Sequence, residues 1–66
     1  MKAKQFVQKL ERVGVEIDRK RGKGGHVLAR YQGRWTTVPM HGSADLGPDF
    51  IKRICRQLGL NPKEVL

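Results

Sequence analysis

Residues 20–41 read KRGKGGHVLARYQGRWTTVPMH, a hairpin pattern from which the rest of the architecture follows. His26 to Tyr31 has the length and composition of a strand, Gln32-Gly33 supplies a turn, and Arg34 to Val38, with two threonines, is the returning strand. Pro39 has no N–H to give to a ladder, so it ends that strand. Upstream, Arg21-Gly22-Lys23-Gly24 is a flexible turn by composition. Before it, Val15 to Lys20 alternates Val15 and Ile17 against Glu16 and Asp18, which predicts a further strand.

On both flanks the spacing changes to that of helices. Phe6, Val7, Leu10 and Val13 follow i, i+1, i+4, i+7 along Ala3 to Val13, with Lys4, Lys9, Glu11 and Arg12 on the remaining surface. Gly14 stops this helix, because glycine takes the left-handed capping conformation without a Cβ penalty. Downstream, Met40 to Asp45 is loop, Pro48 suits the first helical position, and Asp49 suits the positive end of the helix dipole. The second helix is expected to run to Leu58, with Phe50, Ile51, Ile54 and Leu58 inward and Gly59 as its cap. Asn61-Pro62-Lys63-Glu64 resembles a capping box and predicts one last short helical turn.

The fold class is therefore α+β, in the order helix–three-stranded antiparallel sheet–helix, with residues 1–66 as a single domain. Both helices are expected on one face of the sheet, leaving the other open. In the middle strand Val27, Ala29 and Tyr31 make the inward set, which turns His26, Leu28 and Arg30 towards the open face.

Composition narrows the function classes. Fourteen Lys and Arg against six acids leave a formal net charge of +8 on 66 residues, which points to an anionic partner, nucleic acid before membrane. No apolar run approaches the ~20 residues of a membrane span, and no signal-peptide pattern opens the chain. Cys55 is the only cysteine, so an internal disulfide is excluded and zinc lacks its usual ligand set. One unpaired thiol fits a reducing compartment, most simply the cytoplasm. No metal or cofactor is expected.

His26 follows two glycines at a strand entrance, beside Lys20, Arg21 and Lys23. Glycines such as Gly24 and Gly25 let backbone approach a phosphate closely, and clustered cations, with Arg30 among them, neutralise its charge. An imidazole exchanges protons near neutral pH. RNA carries its own nucleophile, the 2′-hydroxyl. Its cleavage needs a group to remove that proton, another to protonate the departing 5′-oxygen, and cations around phosphorus. On this reading His26 is the base, the products are a 2′,3′-cyclic phosphate and a 5′-hydroxyl, no metal is required, and DNA survives. The alternative is that His26 is an ordinary polar loop residue in a non-catalytic RNA-binding module. A basic DNA-binding protein is a third reading.

His41, at the end of the third strand, either shares the acid and base roles with His26 or anchors its loop by a hydrogen bond to backbone. Lys23-Gly24-Gly25 is not a nucleotide phosphate loop, since the lysine precedes the glycines and no Ser or Thr follows it. Tyr31 and Trp35 have rings able to stack on unpaired bases, but with so few aromatics core packing is the expected role for both. Cys55 is expected to pack, and Arg53 and Arg56 to form a solvated helix face.

Gly24-Gly25-His26 at the start of the second strand, then Thr37-Val38-Pro39-Met40-His41, then Ile54 to Gly59-Leu60, in that order, resemble the HicA toxin family. These are small bacterial mRNA interferases of type II toxin–antitoxin systems. The similarity runs from about Phe6 to Leu60. It implies a fold similar to a double-stranded-RNA-binding domain, and ribosome-independent cleavage of mRNA. It also implies that the histidine of a Gly-Ser-His motif is catalytic, a role that carries over to His26. A HicB-type antitoxin that blocks the active site is implied as partner, with DNA contact, where it occurs, made through that antitoxin. The chain departs from the family pattern twice: Gly25 replaces the motif serine, and Asp49-Phe50 replaces the Gly-Thr that opens the second helix.

Overall fold

The computed structural model describes residues 1–21, 24–40 and 44–66. Helix α1 covers Ala3–Arg12 and buries Ala3, Phe6, Val7 and Leu10, the apolar stripe read from its spacing. Its end is a hydrogen-bonded device rather than a simple fraying. Gly14, at φ +98°, lets its own N–H reach the Glu11 carbonyl while Val15 N–H reaches the Leu10 carbonyl. Helix α2, Pro48–Gln57, ends the same way: Gly59 N–H bonds to the Arg56 carbonyl and Leu60 N–H to that of Cys55. Two bonds from the residues beyond the cap back to the last turn satisfy carbonyls the helix leaves open.

Gly59 sits at φ +75°, and a Cβ built there meets the Arg34 side chain at 3.3 Å. Gly59→Ala is therefore expected to cost about 1–2 kcal/mol of backbone strain. Each kcal/mol lowers Tm by roughly 4–8 °C in a domain of this size, and thermal denaturation followed by circular dichroism measures it.

The sheet comprises β1 (Glu16–Asp18), β2 (His26–Tyr31) and β3 (Arg34–Pro39), ordered β1-β2-β3 with both pairings antiparallel. Gln32 and Gly33, at φ +47° and +82°, form the two-residue turn between β2 and β3. Positive φ at both positions matches the twist of the strands it joins. Strand β1 is shorter than the expected Val15 to Lys20. The Asp18 carboxylate accepts from the backbone N–H groups of Lys20 (2.9 Å) and Arg21 (3.2 Å), which turns the chain out of the sheet. The second helix closes one residue before the expected Leu58, which serves as its C-cap. The short final helix α3, Pro62–Val65, forms as expected, with Asn61 Oδ1 accepting from Lys63 N–H at 3.0 Å.

The register pairs Val27 with Val38 and Ala29 with Thr36 on one face. Val27, Ala29 and Val38 join Phe6, Val7, Leu10, Ile51, Ile54 and Leu58 in a single buried cluster, so both long helices cover the same face. Phe50 and Tyr31 are half-buried against it. The other face carries Glu16 and Asp18 on β1, His26, Leu28 and Arg30 on β2, and Trp35, Thr37 and Pro39 on β3. The α-amino group donates to Asp45 Oδ1 at 2.9 Å, a hydrogen bond that holds the Asp45 carboxyl below its ordinary range. Among the described residues no helix is long and apolar enough to cross a membrane.

Candidate active site

Strand β2 begins at His26 because Gly24 and Gly25, at φ +52° and +82°, swing the chain back into the sheet. The Gly25 carbonyl accepts from Met40 N–H, so the entrance of β2 and the end of β3 are tied together just beyond the His26–Pro39 pair. The half-buried His26 thereby stands at the end of the sheet. It lines a hollow with Thr37 and Pro39 of β3 and with Phe50, Arg53 and Gln57 of α2. The Thr36 hydroxyl donates to Gln57 Oε1, fastening α2 to β3 at the floor of this hollow.

Arg53 also borders the neighbouring hollow along α2, together with Lys52, Arg56 and Asp49. Arg56 lies one helical turn from both Lys52 (i, i+4) and Arg53 (i, i+3), and all three are exposed. Like charges at such spacing repel by about 0.2–0.5 kcal/mol per pair, an arrangement that an anion laid across them would relieve. Arg53 and Arg56 are exposed, as expected of a solvated helix face, and the docking of α2 beside β3 also brings Arg53 to the hollow that His26 lines. Nothing in the local sequence signals this, since the two residues meet only through tertiary packing.

Of the cations expected from the sequence, Lys20, Arg21 and Arg30 lie elsewhere. Lys20 and Arg21 are exposed beyond β1, where Arg21 Nε stands 3.7 Å from Asp18 Oδ2. Arg30 points to the open face, its guanidinium 2.7 Å from Glu16 and 3.8 Å from Asp18. Lys20, Arg21, Gly24, Gly25 and Arg30 are not among the residues lining the hollow beside His26. Lys23 and His41 lie outside the described residues. Cys55 is fully buried and its thiol is pushed up by desolvation, which suits packing and not nucleophilic attack. Among the described residues, no group of three or more His, Cys, Asp or Glu is placed to hold a metal ion.

His26 and Arg53 lining one hollow, on a small domain of net charge +8, define a cationic protein suited to an anionic polymer. The family model described as "HicA toxin of bacterial toxin-antitoxin" matches residues 3–60. The chain is 38% identical over 60 residues to the probable mRNA interferase HicA of Pseudomonas fluorescens (strain Pf0-1), covering 91% of this chain and 97% of that one. It is 37% identical over 60 residues to the probable mRNA interferase HicA 1 of Photorhabdus laumondii subsp. laumondii, covering 91% and 100%. The chain belongs to the HicA toxin family, as its ordered motifs implied.

Proposed function

We propose that residues 1–66 act as one toxin domain, an endoribonuclease that cleaves mRNA with His26 as its proton-transfer group. The observation that carries this reading is the shared hollow of His26 and Arg53. In the reaction His26 takes the proton of a ribose 2′-hydroxyl, and the 2′-oxygen forms a bond to phosphorus. The bond from phosphorus to the 5′-oxygen breaks, and that oxygen takes a proton from a second donor. The products are a 2′,3′-cyclic phosphate and a 5′-hydroxyl. Arg53 stabilises the charge that builds on the phosphoryl oxygens, while Lys52 and Arg56 hold the backbone of the substrate. Lys20, Arg21, Gly24, Gly25 and Arg30 meet more distant phosphates. No metal or cofactor enters this scheme.

Arg53→Ala is expected to lower the cleavage rate by about 10²-fold, with Arg53→Lys recovering part of it because the charge remains and the fork is lost. Gel-resolved cleavage of a defined RNA measures both. For His41, lost turnover at unchanged Tm in His41→Ala assigns the second proton transfer, and a lowered Tm with turnover retained assigns the loop anchor. The competing reading, a non-catalytic RNA-binding module, draws support from Gly25, which lacks the hydroxyl of the family motif.

The same surface fits a HicB-type antitoxin as partner, with acidic side chains covering the hollow and the α2 cations. Such a partner stabilises the small core on binding. Induction of the chain alone in a bacterial host should arrest growth and fragment mRNA even when translation is blocked. Co-expression of the antitoxin should suppress both. Intact mRNA in arrested cells would contradict the nuclease reading.

A further inference from the structure

Trp35 is the one aromatic ring among the described residues that stands mostly in solvent, at 65% exposed. Core packing, expected from composition, is ruled out by the strand register. Trp35 pairs with Arg30, and the pair points away from the core. The outward pairs along β2 and β3 run Arg30–Trp35, Leu28–Thr37, His26–Pro39. Trp35 and His26 therefore share one face, separated by four residue steps along β3, about 13 Å at ~3.3 Å per residue.

We propose that Trp35 is a stacking platform for an unpaired base of the RNA that His26 cuts, an inference that rests on the ribonuclease reading. The surroundings of the ring favour a nucleobase over a protein side chain. It lines an open hollow with Glu16, Arg30, Tyr31, Gln32 and Arg34. The core of a protein interface is depleted in charged residues, and this hollow holds three. A ring with a charged rim is instead what single-stranded nucleic acid requires: a planar face for stacking and polar groups for the base edge.

Charge also orients the strand. Glu16 holds the Arg30 guanidinium at 2.7 Å, with Asp18 nearby at 3.8 Å, so this end of the face is not a bare cationic patch. Carboxylates repel phosphates and accept hydrogen bonds from exocyclic base amines. Bases thus face Trp35 and Glu16, while the sugar–phosphate chain passes His26 and the α2 cations. A base held on Trp35 fixes how far the scissile bond lies from it, which makes the ring a specificity-determining residue.

The chain has a single tryptophan, so its emission reports this site directly. The His26→Ala chain, which binds without cutting, is titrated with a short single-stranded RNA while fluorescence is followed. Quenching is expected. In the same background, with binding read from the anisotropy of an end-labelled RNA, Trp35→Ala should weaken affinity about 5- to 150-fold, and Trp35→Phe, which keeps a ring, should weaken it less. Annealing the RNA to its complement should abolish the quenching, because paired bases are no longer available to stack. Unchanged affinity in Trp35→Ala overturns the platform, as does emission that responds to the acidic antitoxin and not to RNA. Wild-type cleavage of the same RNA separates the two readings. Cleavage intact with no role for Trp35 removes the platform alone, and quenching preserved with no cleavage removes the nuclease alone.

Discussion

Phe6→Ala is expected to leave no cooperatively folded protein at ordinary temperature. Phe6 is fully buried, and it is the largest side chain of the cluster that joins α1 and α2 to the sheet. Truncating a buried phenylalanine costs about 3–5 kcal/mol. A single core of this size supplies roughly 3–5 kcal/mol of net stability in all. The two magnitudes are equal, so the variant should lose its thermal transition rather than shift it. Circular dichroism during heating reads this, and a transition within a few degrees of wild type would contradict it. Toxicity should vanish as well, but by loss of the fold, and antitoxin binding should restore part of the structure by mass action.

His26→Ala is expected to abolish activity by the opposite route, with the fold intact. The residue is half-buried at the end of a strand, and the inward neighbours Val27 and Ala29 keep the register. Alanine there removes no part of the core, so Tm should move by a few degrees at most. The loss of a positioned proton-transfer group costs about 10²–10⁴ in rate, while salt-dependent RNA affinity, carried by cations elsewhere, should persist. Cleavage, melting and binding measured on one preparation distinguish the two variants. Phe6→Ala loses all three, and His26→Ala loses only cleavage.

Much of this architecture is legible in the sequence because it is set locally. The helical stripes, the glycines beyond each helix and the Gln32-Gly33 turn all act within a few residues of where they are read. Strand β1 fell short because a side chain, Asp18, captured two backbone N–H groups, and alternation alone does not reveal such a competitor. The exposure of Trp35 was present in the sequence but needed two facts together. A two-residue turn places Trp35 opposite Arg30, and an outward Arg30 forces an outward Trp35. Arg53 was beyond reach for a different reason. Its place beside His26 depends on how α2 lies along β3, and that docking is decided by the whole buried cluster. The charge surplus announced an anionic partner without saying which cations line the hollow beside His26.

The most direct test uses a short RNA cut at one position by the wild-type chain, with the new termini identified. The expected ends are a 2′,3′-cyclic phosphate and a 5′-hydroxyl, and replacing the ribose on the 5′ side of that bond with deoxyribose should stop cleavage there. A 3′-hydroxyl and a 5′-phosphate, or undiminished cutting beside the deoxyribose, would show that no ribose hydroxyl gives its proton to His26.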